Sequence, residues 1–133
     1  MRSTVDDLAK WNIALYGGKV LQPDSLRTMT APGLLNDGRL ASVAEFHAPD
    51  VKPQAPVTGW QWQDYAMGLR TAILDGHRVI GHVGSIYGFN NEVLTFPDDG
   101  LTVIVLTNTD NDSGPVTRLI AGALMTTSSA PPR

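Results

Sequence analysis

Hydrophobic residues follow two different periods along this chain. At the start, Val5, Leu8, Trp11 and Leu15 fall at helical spacing. Ser3 or Thr4 can cap that helix, Asp6 and Asp7 occupy its first turn where the dipole favours negative charge, and Gly17-Gly18 stops it. A second, shorter helix is expected from Pro23, with Leu26 and Met29 on one face and an end before Pro32. Further on the period changes to two: Tyr65, Met67, Leu69, Thr71 and Ile73 alternate with Ala66, Gly68, Arg70 and Ala72, the pattern of a half-buried strand. His77 to His82 reads as the returning strand and Phe89 to Phe96 as the next. Leu101 to Thr107 is apolar on both faces, which predicts a central strand covered on two sides. Pro115 to Met125 returns to helical spacing, with Val116, Leu119, Ile120 and Ala123 expected inward.

Turn signals join these pieces. Asp75-Gly76 is a hairpin signal, and Pro97-Asp98-Asp99-Gly100 is a tight turn between strands. Strands that follow one another this closely make an antiparallel meander. The expected fold is therefore α+β, an antiparallel sheet of three or more strands flanked by helices, with the closing helix on one face and the opening helices on the other or at its end. Residues 31–59 hold Pro32, Pro49, Pro53 and Pro56 and no sustained period, so they read as a long loop or insertion. Residues 1–125 are expected to form a single domain and 126–133 a frayed, disordered tail.

Composition narrows the chemistry. With 133 residues, 42% hydrophobic and 17% charged, one modest core is the limit. A net charge of −3 and the lack of any Lys/Arg run argue against nucleic acid as a partner. No apolar stretch reaches the roughly 18 residues a membrane span needs, and Met1 to Trp11 lacks the apolar segment of a signal peptide. The count of cysteines is zero, which excludes disulfides, thiolate zinc sites and cysteine nucleophiles. No metal or other cofactor is expected. His77 and His82 fall an odd number of residues apart, on opposite faces of a strand, and His47 lies in the loop. The segment Asn108 to Gly114 alternates oxygen ligands in the manner of a calcium loop, but its glycine is one place late and no closing glutamate follows.

The segment with most chemical content is Gly81-His82-Val83-Gly84-Ser85-Ile86-Tyr87-Gly88-Phe89. Glycines let a strand pass close to a ligand and aim a backbone N–H at a developing oxyanion, and a histidine beside it can donate a hydrogen bond or a proton. The same spacing also suits a plain glycine-rich hairpin whose histidine bonds to backbone carbonyls. A Ser/His/Asp arrangement of Ser85 or Ser113 with His82 fits the composition, but neither serine stands in Gly-x-Ser-x-Gly. Of the tyrosines, Tyr87 is expected near this segment and Tyr16 and Tyr65 away from it.

Five pieces in order, Arg2 to Trp11, Gln22 to Leu26, Leu35 to Arg39, His82-Val83-Gly84 with Gly88-Phe89, and Leu101 to Asn108, resemble the C-terminal part of the class C β-lactamase-related serine hydrolases, which include penicillin-binding DD-peptidases and esterases. The resemblance covers nearly the whole chain apart from residues 43–64 and the tail. It implies a partial β-lactamase/transpeptidase-like fold. In that family a serine of Ser-x-x-Lys is the nucleophile, Tyr-x-Asn supplies a general base, and Lys-Thr-Gly or His-x-Gly lines the opposite wall. His82-Val83-Gly84 matches the third element. The resemblance implies catalytic roles for His82 and for the backbone N–H of Ser85 as an oxyanion donor, and substrate contacts at Val83, Gly84 and Tyr87. Val83 stands where true β-lactamases use a hydroxyl to hold the substrate carboxylate, so an ester or other acyl substrate is expected over a β-lactam.

Two family elements are missing from the sequence. Three residues before Lys10, Lys19 and Lys52 stand Asp7, Tyr16 and Pro49, so there is no Ser-x-x-Lys, and no tyrosine begins Tyr-x-Asn. Family order puts both before Met1, and the expectation is a C-terminal fragment, inactive alone, of a longer or split hydrolase. Its partners would be a small acyl substrate (ester, peptide or lactam) once an N-terminal segment completes the site, and a second copy or a complementary chain along Leu101 to Thr107. Any export signal would lie upstream. The alternative reading is a non-catalytic module that binds a peptide or protein through the same fold.

Overall fold

The computed structural model describes residues 3–42, 60–74 and 76–128. Helix α1 (Val5–Tyr16) opens with Thr4, whose hydroxyl accepts the Asp7 N–H at 3.2 Å, and closes at Gly17, whose N–H donates to the Ile13 carbonyl at 3.0 Å. Helix α2 (Pro23–Thr30) starts on its proline, which has no N–H to leave unsatisfied. Five strands follow: β1 (Trp60–Tyr65), β2 (Arg70–Leu74), β3 (His77–Ile86), β4 (Phe89–Phe96) and β5 (Leu101–Thr107). They form one antiparallel sheet in chain order, the meander the turn signals predict. Helix α3 (Gly114–Ser128) follows, starting one residue before and ending three residues after its spacing predicts, since neither Gly nor Pro interrupts Thr126 to Ser128. Those three residues of the expected tail are helical, and 129–133 lie outside the described residues.

The sheet separates two unlike layers. On one face Ala72, Leu74, Val79, Leu94, Phe96 and Val103 pack with Ala121 of α3, and Trp62, Leu101, Val105 and Met125 border them. Val79, Leu94 and Phe96 have no exposed surface. The opposite face is more polar: the Thr95 hydroxyl donates to Asn12 Oδ1 at 3.0 Å, and Asn12 Nδ2 donates to the Leu8 carbonyl, so α1 is joined to β4 by a hydrogen-bonded chain. Closing and opening helices thus lie on opposite faces. A sheet with helices on both sides explains why Leu101 to Thr107 carries apolar residues on both faces.

Several local expectations need correction. The alternation read as one strand from Tyr65 to Ile73 is the end of β1, a turn and β2: Ala66 N–H donates to the Leu69 carbonyl at 2.7 Å and Gly68 has φ +72°. The period survived the turn by coincidence of spacing. It is Ala72 and Leu74 that enter the core, and Ile73 that faces out. Trp11 is 54% exposed, and the buried side of α1 is Asn12 with Leu15. In α3 Thr117 and Ala121 are buried, whereas Val116, Leu119, Ile120 and Ala123 face outward. That helix is apolar around most of its circumference, so spacing alone does not choose its inner face. Among the described residues β5 pairs only with β4, so it is an edge strand covered above and below and not a central one. Asp75 lies outside the described residues, but Gly76 at φ +87° and the Leu74↔His77 pair are those of a two-residue hairpin. Of the 31–59 loop, residues 31–42 are described and 43–59, with His47, are not. The described part bridges Leu34 to Leu40 and Ser42 to Asp64, laying it along β1. Among the described residues no helix is long and apolar enough to cross a membrane.

Candidate functional site

Strand β3 is longer than its neighbour. Arg70 to Leu74 of β2 pairs with residues 77–81, and β3 then continues to Ile86 with β4 as its partner. His82 lies on the strand as expected, and Val83, Gly84 and Ser85 continue that strand where a loop was expected. The actual turn is Tyr87-Gly88, where Gly88 takes φ +80° and its N–H donates to Asp110 at 2.6 Å.

Alternation then sorts the motif. His82 pairs with Val93 and Gly84 with Asn91, on the face that holds Thr95 and α1, while Val83 pairs with Glu92 and Ser85 with Asn90, on the face of α3. The Ser85 side chain and the His82 ring lie on opposite faces, so they do not form a dyad. Ser113 is also removed: it is 2% exposed and its Oγ donates to Asn90 Oδ1 at 3.1 Å. Val83 is half-buried, His82, Gly84 and Ser85 are exposed, and Tyr87 at the hairpin tip is 97% exposed.

The two glycines of the segment differ in what demands them. A Cβ on Gly81 would stand 2.1 Å from the Val93 carbonyl oxygen and 3.1 Å from the Trp62 ring. No residue with a side chain fits there. A Cβ on Gly84 would meet nothing within 4 Å among the described residues. Space in front of Gly84 is open, and its backbone is accessible on the face it shares with His82.

Sequence reading missed one contact. The Tyr65 hydroxyl lies 3.0 Å from His82 Nε2, with the rings edge to face at a centroid distance of 6.1 Å and an interplanar angle of 80°. Tyr65, expected remote, is thus the tyrosine that touches His82. A β-bulge between Trp62 and Asp64 shifts the register of β1 just before it. Nothing in the local sequence announces a bulge or a contact spanning seventeen positions.

Behind Val83 lies a buried charged group. Glu92 is 1% exposed, and burial raises its carboxyl above the ordinary glutamate value, against the lowering effects of the Thr117 hydrogen bond and the Arg118 and Arg70 charges. Its Oε2 has no hydrogen-bond partner among the described residues. Elsewhere, His77 Nδ1 lies 2.9 Å from Asp99, which ties the start of β3 to the β4–β5 turn. A cavity of about 480 Å³ lined by Tyr16, Leu26, Arg78 and Ile80 opens between α1, α2 and the early part of β3, not beside Gly84.

A family model described as Beta-lactamase matches residues 1–124. The unguisins hydrolase ungD' of Aspergillus campestris (strain IBT 28561) is 27% identical over 113 residues, a match spanning 84% of this chain and 18% of that protein. No solved structure matches significantly.

Proposed function

Because the chain belongs to the beta-lactamase family, we propose that it carries one wall of the acyl-transfer pocket of a serine hydrolase and needs another segment for catalysis. The observation that carries this reading is the overhang of β3: among the described residues His82 to Ile86 have a strand partner on one side only, and the space before Gly84 is open. A substrate carbonyl laid along that free side meets backbone donors already fixed by the β3–β4 ladder, so little reorganisation is required as charge develops. In this reading the Ser85 N–H is an oxyanion donor, Gly84 lets the substrate approach, and His82 supplies a hydrogen bond beside the nucleophile. Val83 and Tyr87 sit at the margins, where acyl-group selection would be made.

The reaction would run by attack of a serine from Ser-x-x-Lys, a covalent acyl intermediate, and hydrolysis by water. An oxyanion donor is worth about 10² to 10³ in rate, but without a nucleophile there is no intermediate for it to stabilise. The hydrolase name of the fungal relative favours acyl transfer to water, and Val83 in place of a hydroxyl favours an ester or amide lacking the β-lactam carboxylate. β5 is seven residues long, uncharged and free on its outer side among the described residues, so the completing segment or a second copy would add its strand there.

The test is complementation. Alone, the chain should take no covalent label from a fluorophosphonate or a penicillin probe, and stoichiometric labelling would overturn the inactive-fragment reading. Added to a segment bearing Ser-x-x-Lys and Tyr-x-Asn, it should restore esterase activity. A persistent null with a well-folded complex would favour the non-catalytic binding module, which would use the same open side of β3 for a peptide strand.

A further inference from the structure

We propose that Tyr65 is a positioning residue that sets the tautomer of His82: its hydroxyl donates to Nε2, the neutral ring carries its proton on Nδ1, and His82 therefore meets a substrate as a hydrogen-bond donor and not as a base. The inference rests on the reading that His82 lines the acyl pocket.

Distance and chemistry support the direction of this bond. At 3.0 Å, Tyr65 Oη and His82 Nε2 are within hydrogen-bond range, and the ring edge-to-face arrangement brings hydroxyl to nitrogen without stacking. In a neutral pair, one atom must donate. An imidazole nitrogen is basic, with an ordinary conjugate-acid value of about 6.5, whereas a phenol is a weak acid with a value of about 10 and its oxygen is a poor acceptor. O–H to N is therefore the favoured direction, which leaves the proton on Nδ1.

Backbone bonds hold Tyr65 in place to do this. Its N–H donates to the Ala41 carbonyl at 2.6 Å and its carbonyl accepts the Gly33 N–H at 2.8 Å, while its Cα pairs across to Arg70. The residue is clasped between the 33–41 segment and β2 just beyond the bulge. His82 is exposed, and among the described residues its Nδ1 has no hydrogen-bond partner. An Nδ1–H is thus available on the open face. With Nε2 engaged, proton removal from a nucleophile falls to another group, which agrees with a family plan that assigns the base to Tyr-x-Asn.

The experiment reads nitrogen resonances of the histidine rings in the uniformly ¹⁵N-labelled full chain at about pH 8, where a free imidazole is neutral. His82→Gln identifies the signals. The expected wild-type pattern is Nδ1–H with Nε2 unprotonated, and Tyr65→Phe, which keeps the ring and removes the donor, should move His82 toward Nε2–H. A wild-type Nε2–H pattern overturns the proposal by itself, whatever the variant does. A folded Tyr65→Phe with the wild-type tautomer also overturns it, because a purely structural tyrosine leaves the ring proton where it was. The measurement uses the chain alone, so it is independent of whether complementation yields an esterase.

Discussion

The two halves of β3 share one backbone and differ in almost everything else. From His77 to Gly81 the strand pairs with β2, and at Ile80 and Gly81 with β4 as well; Val79 and Ile80 are buried, and side-chain space is so limited that position 81 admits only hydrogen. From His82 to Ile86 it has β4 alone among the described residues, its side chains are exposed or half-buried, and position 84 has room to spare. The difference arises from the shortness of β2. The buried part fixes the course of the strand into the open part, which suits the proposed wall, whose donors would have to hold still while a ligand comes and goes.

Breaking the sandwiched half should have the largest effect. Gly81→Ala forces a Cβ into the Val93 carbonyl, so strands β3 and β4 must part, and a loss of about 3 kcal/mol or more is expected in chemical denaturation. A near-neutral result would show that the ladder yields more easily than its geometry implies. A smaller and pH-dependent effect is expected at Glu92, which backs the transition between the halves. Its carboxyl is raised by burial, so the folded chain binds that proton more tightly than the unfolded chain. The resulting stability is fully present below the ordinary value of 4.5 and is lost as pH rises through the raised value. The thermal midpoint of the wild type should thus fall, relative to Glu92→Gln, as pH rises from 4.5 through the raised value. Parallel curves for the two proteins would mean that Arg70 and Arg118 already neutralise the carboxylate. The smallest effect is expected in the open half: Gly84→Ala should change stability by no more than about 0.5 kcal/mol, yet reduce the esterase activity of the complemented protein. If it destabilises as much as Gly81→Ala, the two halves are not different in kind.

Much of the layout was legible because its signals are local. Gly17-Gly18 ends a helix, and Pro97 to Gly100 turns a strand, with Asp99 N–H on the Phe96 carbonyl at 3.2 Å and Gly100 at φ +64°. Such residues act through their own backbone. Faces were less legible. α3 offers Val116, Leu119 and Ile120 as readily as Ala121, and only the snug approach to β4 and β5 selects the smaller side chains. At the motif, glycine and histidine pointed to the right strand, but not to its length, since that is set by its pairing with β4 up to the turn at Tyr87-Gly88. The Tyr65–His82 contact depended on a bulge and on two backbone bonds from a segment more than twenty residues earlier. No period encodes that.

The clasp on Tyr65 places a condition on anyone who would re-engineer the protein. The ornament between positions 34 and 40 looks like an exterior graft point, closed on itself by the Leu34↔Leu40 bridge and the Leu35 N–H on the Arg39 carbonyl. Its two stems, joined to each other by the Ala41 N–H on the Gly33 carbonyl at 2.8 Å, also supply the amide and the carbonyl that grip the tyrosine. Exchanging the tip while keeping both stems should be silent at the imidazole, whereas a graft that spreads them by even an ångström would be transmitted along a rigid ring to a nitrogen on another strand.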